Sequence, residues 1–404
     1  MIELFESANK LINEVSLDFK RYLFSGINWQ GRLIEINGAR GVGKTTMMLQ
    51  KAKLVNSEKA NTAIYFTLDD PRFFSMSIID IADEFSKYGG EYLFLDEVHK
   101  YPSKFKDYDW SAEIKNIYDM NPELHIVYSG SSILKIYKGQ GDLSRRRQIY
   151  YLAGLSLREY LEYNGLTDFN SYNLDEILNN HQRITEEITE KINILPHFRK
   201  YLDIGYYPFY KEAPEQYYIR LKEIISVILE RDIPTVADIS YETIMKIKKL
   251  LAVIANVVPY APNLTKTGKE LYITDQRTLL KYLYYLDIAE LLILLSDEAR
   301  GNQIFRKPDK IYLNNTNLLK CLELSPEKGT IRETFFINQL KYYHSITTPS
   351  KGDFMVDNKY LFEIGGKNKG GKQIKGKKNA WLALDDIETG FGNVIPLWLF
   401  GFLY

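Results

Sequence analysis

The chain has one cysteine, no net charge and no long apolar run, and each shortage closes off a class of protein. With Cys321 alone there is neither an internal disulfide framework nor a cysteine metal cluster, and the residue reads as a small buried apolar side chain. Lysine plus arginine equals aspartate plus glutamate, 52 of each, so total charge gives no argument for a nucleic-acid partner, although a neutral sum is compatible with local patches. No stretch reaches the roughly 18 uninterrupted apolar residues of a membrane span. The nearest, Leu286 to Leu295, is short and carries Asp287 and Glu290. The opening M-I-E-L-F-E-S-A-N-K lacks the basic start and apolar core of a signal peptide, so the expectation is a cytoplasmic protein with no membrane partner. What is present is 404 residues, 45% of them hydrophobic and 26% charged, which is enough for two or three globular domains. The 31 tyrosines read as genome composition and point to no function.

The rest of the chain is organised around Arg32 to Thr46, R-L-I-E-I-N-G-A-R-G-V-G-K-T-T. A short apolar run (Leu33, Ile34, Ile36) leads into Gly38-Ala39-Arg40-Gly41-Val42-Gly43-Lys44-Thr45, and Thr46 and the apolar Met47, Met48 and Leu49 look helical. That is the strand, loop and helix order required by G-x-x-x-x-G-K-[ST], in which backbone N–H groups cradle phosphate oxygens at the positive end of a helix. Lys44 is then expected to reach the β and γ phosphates, and Thr45 to offer Mg2+ a hydroxyl oxygen. Downstream, Ala63 to Leu68 and Tyr92 to Leu95 read as buried strands, the second delivering Asp96 and Glu97 at its carboxyl end, the edge where α/β sheets bind ligands. Asp96 is the candidate for holding Mg2+ through water, and Glu97 for polarising the attacking water. A third strand, Leu124 to Tyr128, runs into Ser129-Gly130-Ser131-Ser132, where Ser129 or Ser131 is the candidate γ-phosphate sensor. Ser144-Arg145-Arg146-Arg147 follows before another strand at Tyr150, and Arg145 or Arg146 is the candidate for neutralising transition-state charge, in cis or on a neighbouring subunit. Strands alternating with helices imply a parallel sheet with crossovers over residues 1–165.

Residues 166–235 read as a helical connector. Over 236–328 three helical patterns precede two short strands, Leu291 to Leu295 and Lys310 to Leu313, the arrangement of a winged helix; its third helix, L-L-K-Y-L-Y-Y-L, is apolar enough to favour packing over reading DNA. In 329–404, Glu333, Asp353 and Glu363 resemble the acids of a metal-dependent nuclease core of the D…E-x-K type. Gly365 stands where the lysine belongs, and Lys367 is the candidate replacement, so the expectation is a nuclease-like fold with reduced or absent activity.

These motifs together resemble the prokaryotic AAA-type ATP-binding proteins, close to the archaeal STAND-like ATPases, that carry a C-terminal domain of unknown function with a nuclease-like fold. The resemblance rests on G-A-R-G-V-G-K-T at 38–45, L-F-L-D-E-V at 93–98, S-G-S-S at 129–132, L-S-R-R at 143–146 and L-A-G-L-S-L-R-E-Y-L at 152–161. It continues through G-Y-Y-P at 205–208, K-I-Y-L-N-N-T-N-L at 310–318, E-T-F-F-I-N-Q-L at 333–340 and F-E-I-G-G-K at 362–367. It implies an α/β architecture: a P-loop NTPase parallel sheet with helices on both faces, then a helical and winged-helix domain, then a restriction-endonuclease-like α/β domain. Members often show E-V-K where this chain has Glu363-Ile364-Gly365, which counts against nuclease chemistry. The leading expectation is a Mg2+-dependent ATPase, binding ATP and ADP, whose nucleotide state controls its C-terminal domains. Its rivals are an ATP-gated nuclease acting on DNA, and a non-hydrolysing switch that binds a protein partner or a second copy of itself.

Overall fold

The computed structural model describes residues 2–102, 110–132, 143–237, 239–297, 306–323 and 325–404. Contacts divide the chain into two units. One comprises Met1–Ala153 with Arg231–Asp238, the other Gly154–Glu230 with Ile239–Tyr404.

In the first unit, the apolar runs become β1 (Leu33–Gly38), β2 (Ala63–Thr67), β3 (Tyr92–Asp96), β4 (His125–Ser131) and β5 (Gln148–Tyr151). They form one sheet in the order β2-β3-β4-β1-β5, every pairing parallel. β1 and β3 are buried along their whole length, and β3 accordingly reads as a near-continuous apolar run without alternation up to Asp96. The helix Lys44–Glu58 carries the chain from β1 to β2 and buries Met47, Met48, Ala52 and Val55. Ile78–Lys87 and Trp110–Met120 make the next two crossovers. Because all five strands run one way, the carboxyl ends of β1, β3 and β4 share an edge, with Gly38 opposite Ser131 in register. The step from β1 past β4 and β3 to β2 opens the crevice in which sheets of this kind hold ligands.

Two polar side chains, Glu35 and Asn37, interrupt the β1 core. Glu35 is 1% exposed, and its carboxylate meets Arg147 Nη1 at 2.7 Å, the Tyr128 hydroxyl at 2.7 Å and the Asn37 amide at 2.6 Å. The third arginine of the basic cluster is thus a strut of the sheet.

The second unit opens with helices, among them Leu157–Tyr163 and Leu174–Thr189, each begun by a reciprocal capping box (Ser156 with Glu159, Asn173 with Glu176). The helices Tyr241–Ala255, Leu264–Glu270 and Gln276–Ile288 precede β6 (Leu292–Leu295) and β7 (Lys310–Leu313), which pair antiparallel. The helix Lys328–Leu340 then packs on a second sheet of β8 (Ile346–Thr347), β9 (Phe354–Val356), β10 (Tyr360–Gly366), β11 (Ala380–Asp385) and β12 (Val394–Pro396). In it β10, β11 and β12 run parallel, while β8 and β9 are antiparallel to their neighbours. Phe336 sits at the centre of that core, with ring centroids 4.8 Å from Phe400 and 4.9 Å from Phe362. Cys321 is free and buried, as its solitary occurrence implied. Among the described residues no helix is long and apolar enough to cross a membrane.

Arg147→Ala leaves the Glu35 carboxylate buried with only neutral donors, which is expected to cost about 3–5 kcal/mol of stability. Thermal unfolding of the full chain checks this: the melting temperature should fall markedly, and the Glu35→Gln change added to Arg147→Ala should recover most of the loss. No fall in the single variant would contradict the strut.

Candidate functional site

The loop after β1 turns because its glycines permit it. A Cβ on Gly38 would lie 2.4 Å from the Leu152 carbonyl oxygen, and Gly43, at φ 99°, starts the helix from the left-handed region. Ala39 and Val42 are buried, whereas Gly41, Thr45 and Thr46 face outward. Arg21, 5% exposed, donates to the Val42 carbonyl and, at 2.8 Å, to that of Ala153, tying the loop to the chain just after β5. The Lys44 ammonium donates to the carbonyls of Gly38 (2.9 Å) and Ala39 (3.0 Å), inside the loop it belongs to. Burial pulls its pKa below the ordinary lysine value, against the opposing pull of Glu97 and Asp96.

Asp96, 1% exposed at the end of β3, gathers hydroxyls from three elements. Its Oδ2 accepts from Thr45 at 2.5 Å and from Tyr65 of β2 at 2.7 Å, and its Oδ1 accepts from Ser129 of β4 and from the Glu97 N–H at 3.0 Å. The Tyr65 hydroxyl is driven well above its usual pKa by burial and by the Asp96 charge, so it stays a donor. Thr45 and Asp96 therefore present two hard oxygens side by side at the mouth of the loop, a donor set that suits Mg2+. Ser129 is bonded to Asp96, and Ser131, buried, stands beside Gly38.

Glu97 follows in the left-handed region, φ 55°, a strained conformation for a non-glycine residue. Its Oε2 is 3.0 Å from Lys100 Nζ, 3.5 Å from His99 Nε2 and 3.8 Å from Arg40 Nη1. Burial pushes the carboxyl up, but His99, Lys44, Lys100 and Arg40 outweigh it and hold the pKa at about 2. Arg40 and His99 also face Asp232, at 3.5 and 4.0 Å.

The structure thus brings Gly38 to Thr46, Asp96, Glu97, Ser129 and Ser131 to one edge of one sheet. It does not bring Arg145 and Arg146 there. They precede β5, whose first residue, Gln148, pairs with Ile34, four residues and about 13 Å of strand before the loop. Arg146 pairs with Asp119 at 3.3 Å and Arg145 is exposed. Arg21, Tyr65, His99 and Asp232 were missed by sequence reasoning, because none stands in a motif and only the fold makes them neighbours.

In the second unit, two of the C-terminal acids, Asp353 and Glu363, meet at one ammonium. Asp353 Oδ2 accepts from the Ile364 N–H at 2.7 Å and lies 3.4 Å from Lys369 Nζ; Glu363 Oε1 lies 3.4 Å from the same ammonium, which donates to the Ile364 carbonyl at 2.9 Å. Glu333, on the helix above, accepts from Tyr312 at 2.5 Å, and burial raises its pKa. Lys367 is exposed and takes no part. Lys369 comes back through a turn, its N–H bonded to the Gly366 carbonyl at 2.9 Å, and its stem lies across Gly365, where a Cβ would meet its Cδ at 2.3 Å. Gly365 is therefore the space that the Lys369 stem fills. Among the described residues no group of three or more histidine, cysteine or acidic side chains is placed to hold a metal ion. Gly365→Ala should force the Lys369 stem aside at a cost of about 1–3 kcal/mol; a lowered melting temperature is the expected result, and an unchanged one would contradict this placement.

Comparisons with known proteins place the two units differently. Residues 30–161 match the model of an AAA domain, and residues 195–328 match one described only as a domain of unknown function (DUF8612). An uncharacterized protein of Methanocaldococcus jannaschii, MJ1637, is 27% identical over 290 residues, 70% of this chain, and the match spans only 61% of that relative's length. Among solved structures, the replication initiator DnaA bound to AMPPCP and single-stranded DNA is 15% identical, covering 69% of this chain and 91% of that one at a TM-score of 0.29. AMPPCP-bound DnaA from Aquifex aeolicus is 17% identical, with coverages of 70% and 88% and a TM-score of 0.26. PCH-2 of C. elegans is 16% identical, with coverages of 52% and 62% and a TM-score of 0.24. Superpositions this loose carry no argument; what stands is the match of residues 30–161 to an AAA domain, and the parallel sheet around Gly38 to Thr45 agrees with it.

Proposed function

We propose that the chain is a Mg2+-dependent ATPase whose nucleotide state is passed to its second unit. The observation that carries this reading is the junction of Thr45, Asp96 and Glu97 beside Lys44, because it puts metal-binding oxygens, a carboxylate and a phosphate-seeking ammonium within one small site. ATP would enter with its β and γ phosphates against the loop N–H groups, and Lys44 would exchange two carbonyl partners for phosphate oxygens, which as charged acceptors hold it more strongly. Mg2+, when bound by Thr45 and through water by Asp96, would neutralise charge on the β and γ phosphates. Ser129 and Tyr65 keep Asp96 oriented. Glu97 would accept a hydrogen bond from the attacking water and aim it at the γ phosphorus. Its position among Arg40, His99 and Lys100 keeps it ionised and occupied, which favours slow turnover until those partners move. Arg145 and Arg146, at the far edge of the sheet, suit a charge-neutralising role only toward the site of another copy.

A second reading, an ATP-gated nuclease, draws on one observation: the ammonium of Lys369 stands by Asp353 and Glu363 despite the glycine at 365. Cleavage of plasmid DNA with Mg2+ or Mn2+, lost in Asp353→Ala and in Glu363→Ala, would support it, and intact plasmid would dismiss it.

For the ATPase itself, Lys44→Ala should weaken ATP binding by about 30-fold or more, the worth of roughly 2 kcal/mol in hydrogen bonds to charged oxygens. Glu97→Gln should leave ATP affinity near wild type and lower kcat by about 100-fold or more. Equilibrium binding and phosphate release together check the pair. Unchanged binding and turnover in Lys44→Ala would overturn the reading.

A further inference from the structure

The segment Arg231–Asp238 packs within the first unit although the chain on both sides of it belongs to the second. It begins in a π-helical turn, Ile228–Asp232, a rare irregularity that recurs at functional sites, and continues as the short helix Ile233–Ala237 against the turn Val98–Lys100. Ile233 anchors it, fully buried. Next to that anchor is a carboxylate, Asp232, only 1% exposed.

A buried carboxylate has to be paired. Asp232 faces Arg40 Nη1, 3.5 Å from each of its oxygens, and His99 Nε2 at 4.0 Å. The same two side chains face Glu97, at 3.8 and 3.5 Å. Arg40 and His99 are therefore shared between Glu97 and a carboxylate on the segment that joins the units. Every one of these distances exceeds that of a good charge-assisted hydrogen bond, about 2.7–2.9 Å, so neither carboxylate has captured Arg40 or His99, although Glu97 keeps Lys100 at 3.0 Å. His99 is completely buried with neither ring nitrogen hydrogen-bonded. Such a loosely divided set is sensitive to any new charge of either sign. Arg40 belongs to the phosphate loop, where the γ phosphate of ATP adds negative charge that ADP lacks.

We propose that Asp232 is a positioning residue through which the segment Arg231–Asp238 reads the γ phosphate, by sharing Arg40 and His99 with Glu97. With ADP or no nucleotide, Asp232 holds Arg40 and the segment stays anchored at the site. With ATP, Arg40 turns to the γ phosphate, Asp232 loses its main counter-charge, and the hold on the segment weakens. Glu97 is relieved of one partner in the same step. The inference rests on the ATPase reading above.

The test is hydrogen exchange of the full-length chain, followed in peptides covering 231–238, without nucleotide, with ADP, and with AMPPCP and Mg2+. Nucleotide binding is measured in parallel. The expected result is exchange about fivefold or more faster with AMPPCP than with ADP, the lower end of a coupling of 1–3 kcal/mol. Asp232→Asn, which keeps the shape and removes the charge, should erase that contrast while still binding both nucleotides. Arg40→Gln should erase it too, and serves if the first variant does not fold. Equal exchange with ADP and AMPPCP in the wild type, or a contrast surviving in either variant, overturns the role of Asp232 and leaves the ATPase reading standing. A wild-type chain that binds neither nucleotide overturns both.

Discussion

A single buried carboxylate sets the terms of the first unit. Asp96, at the end of β3, cannot be left unpaired in a core of this density, and the hydroxyls of Thr45, Tyr65 and Ser129 answer it from the loop helix, β2 and β4. Those three bonds fix the relative positions of the phosphate loop and the neighbouring strands more closely than apolar packing alone, which specifies volume and not direction. They also leave the site assembled before any ligand arrives. Lys44 rests on loop carbonyls, Thr45 rests on Asp96, and the partners that a nucleotide and its metal would take are supplied by the protein itself. Preorganisation of this kind reduces the rearrangement that binding has to bring about.

Around that carboxylate the charges are not evenly satisfied. Asp96 has four donors at short range, whereas Glu97, one residue on and strained at φ 55°, has Lys100, His99 and Arg40 spread at 3.0 to 3.8 Å around its buried Oε2. The contrast separates the two acids by task. One is a fixed structural oxygen donor; the other is held in place by a field of Arg40, His99 and Lys100 that a change in local charge can redistribute. The same Arg40 and His99 also face Asp232, on a segment covalently continuous with the second unit.

How much of this was legible in the sequence follows from how local each feature is. The loop, the strand ending in Asp96-Glu97 and the helix Lys44–Glu58 were readable because residue type and spacing within a dozen positions determine them. Ser129 and Ser131 were readable as the end of a strand, but the pairing of Ser129 with Asp96 depends on the sheet order β3-β4, which no local pattern records. The arginine cluster could not be sorted for the same reason: Arg145, Arg146 and Arg147 look alike in sequence, and only the register of β5 puts them at the amino end of the sheet, with Arg147 bound to Glu35. At the other end of the chain, the acids Glu333, Asp353 and Glu363 were found by type, while Lys367 was named where Lys369 stands. A two-glycine strand end and a tight turn decide which lysine returns to the acids, and that geometry is invisible to spacing.

The central claim is that this sheet edge hydrolyses ATP. The most direct measurement is a single-turnover experiment with the full chain in excess over ATP labelled at the γ phosphate, with and without Mg2+. First-order release of labelled phosphate that depends on Mg2+, even if slow, is the expected result. Bound ATP that stays intact over the lifetime of the folded protein, with Mg2+ present and at every protein concentration, would contradict it.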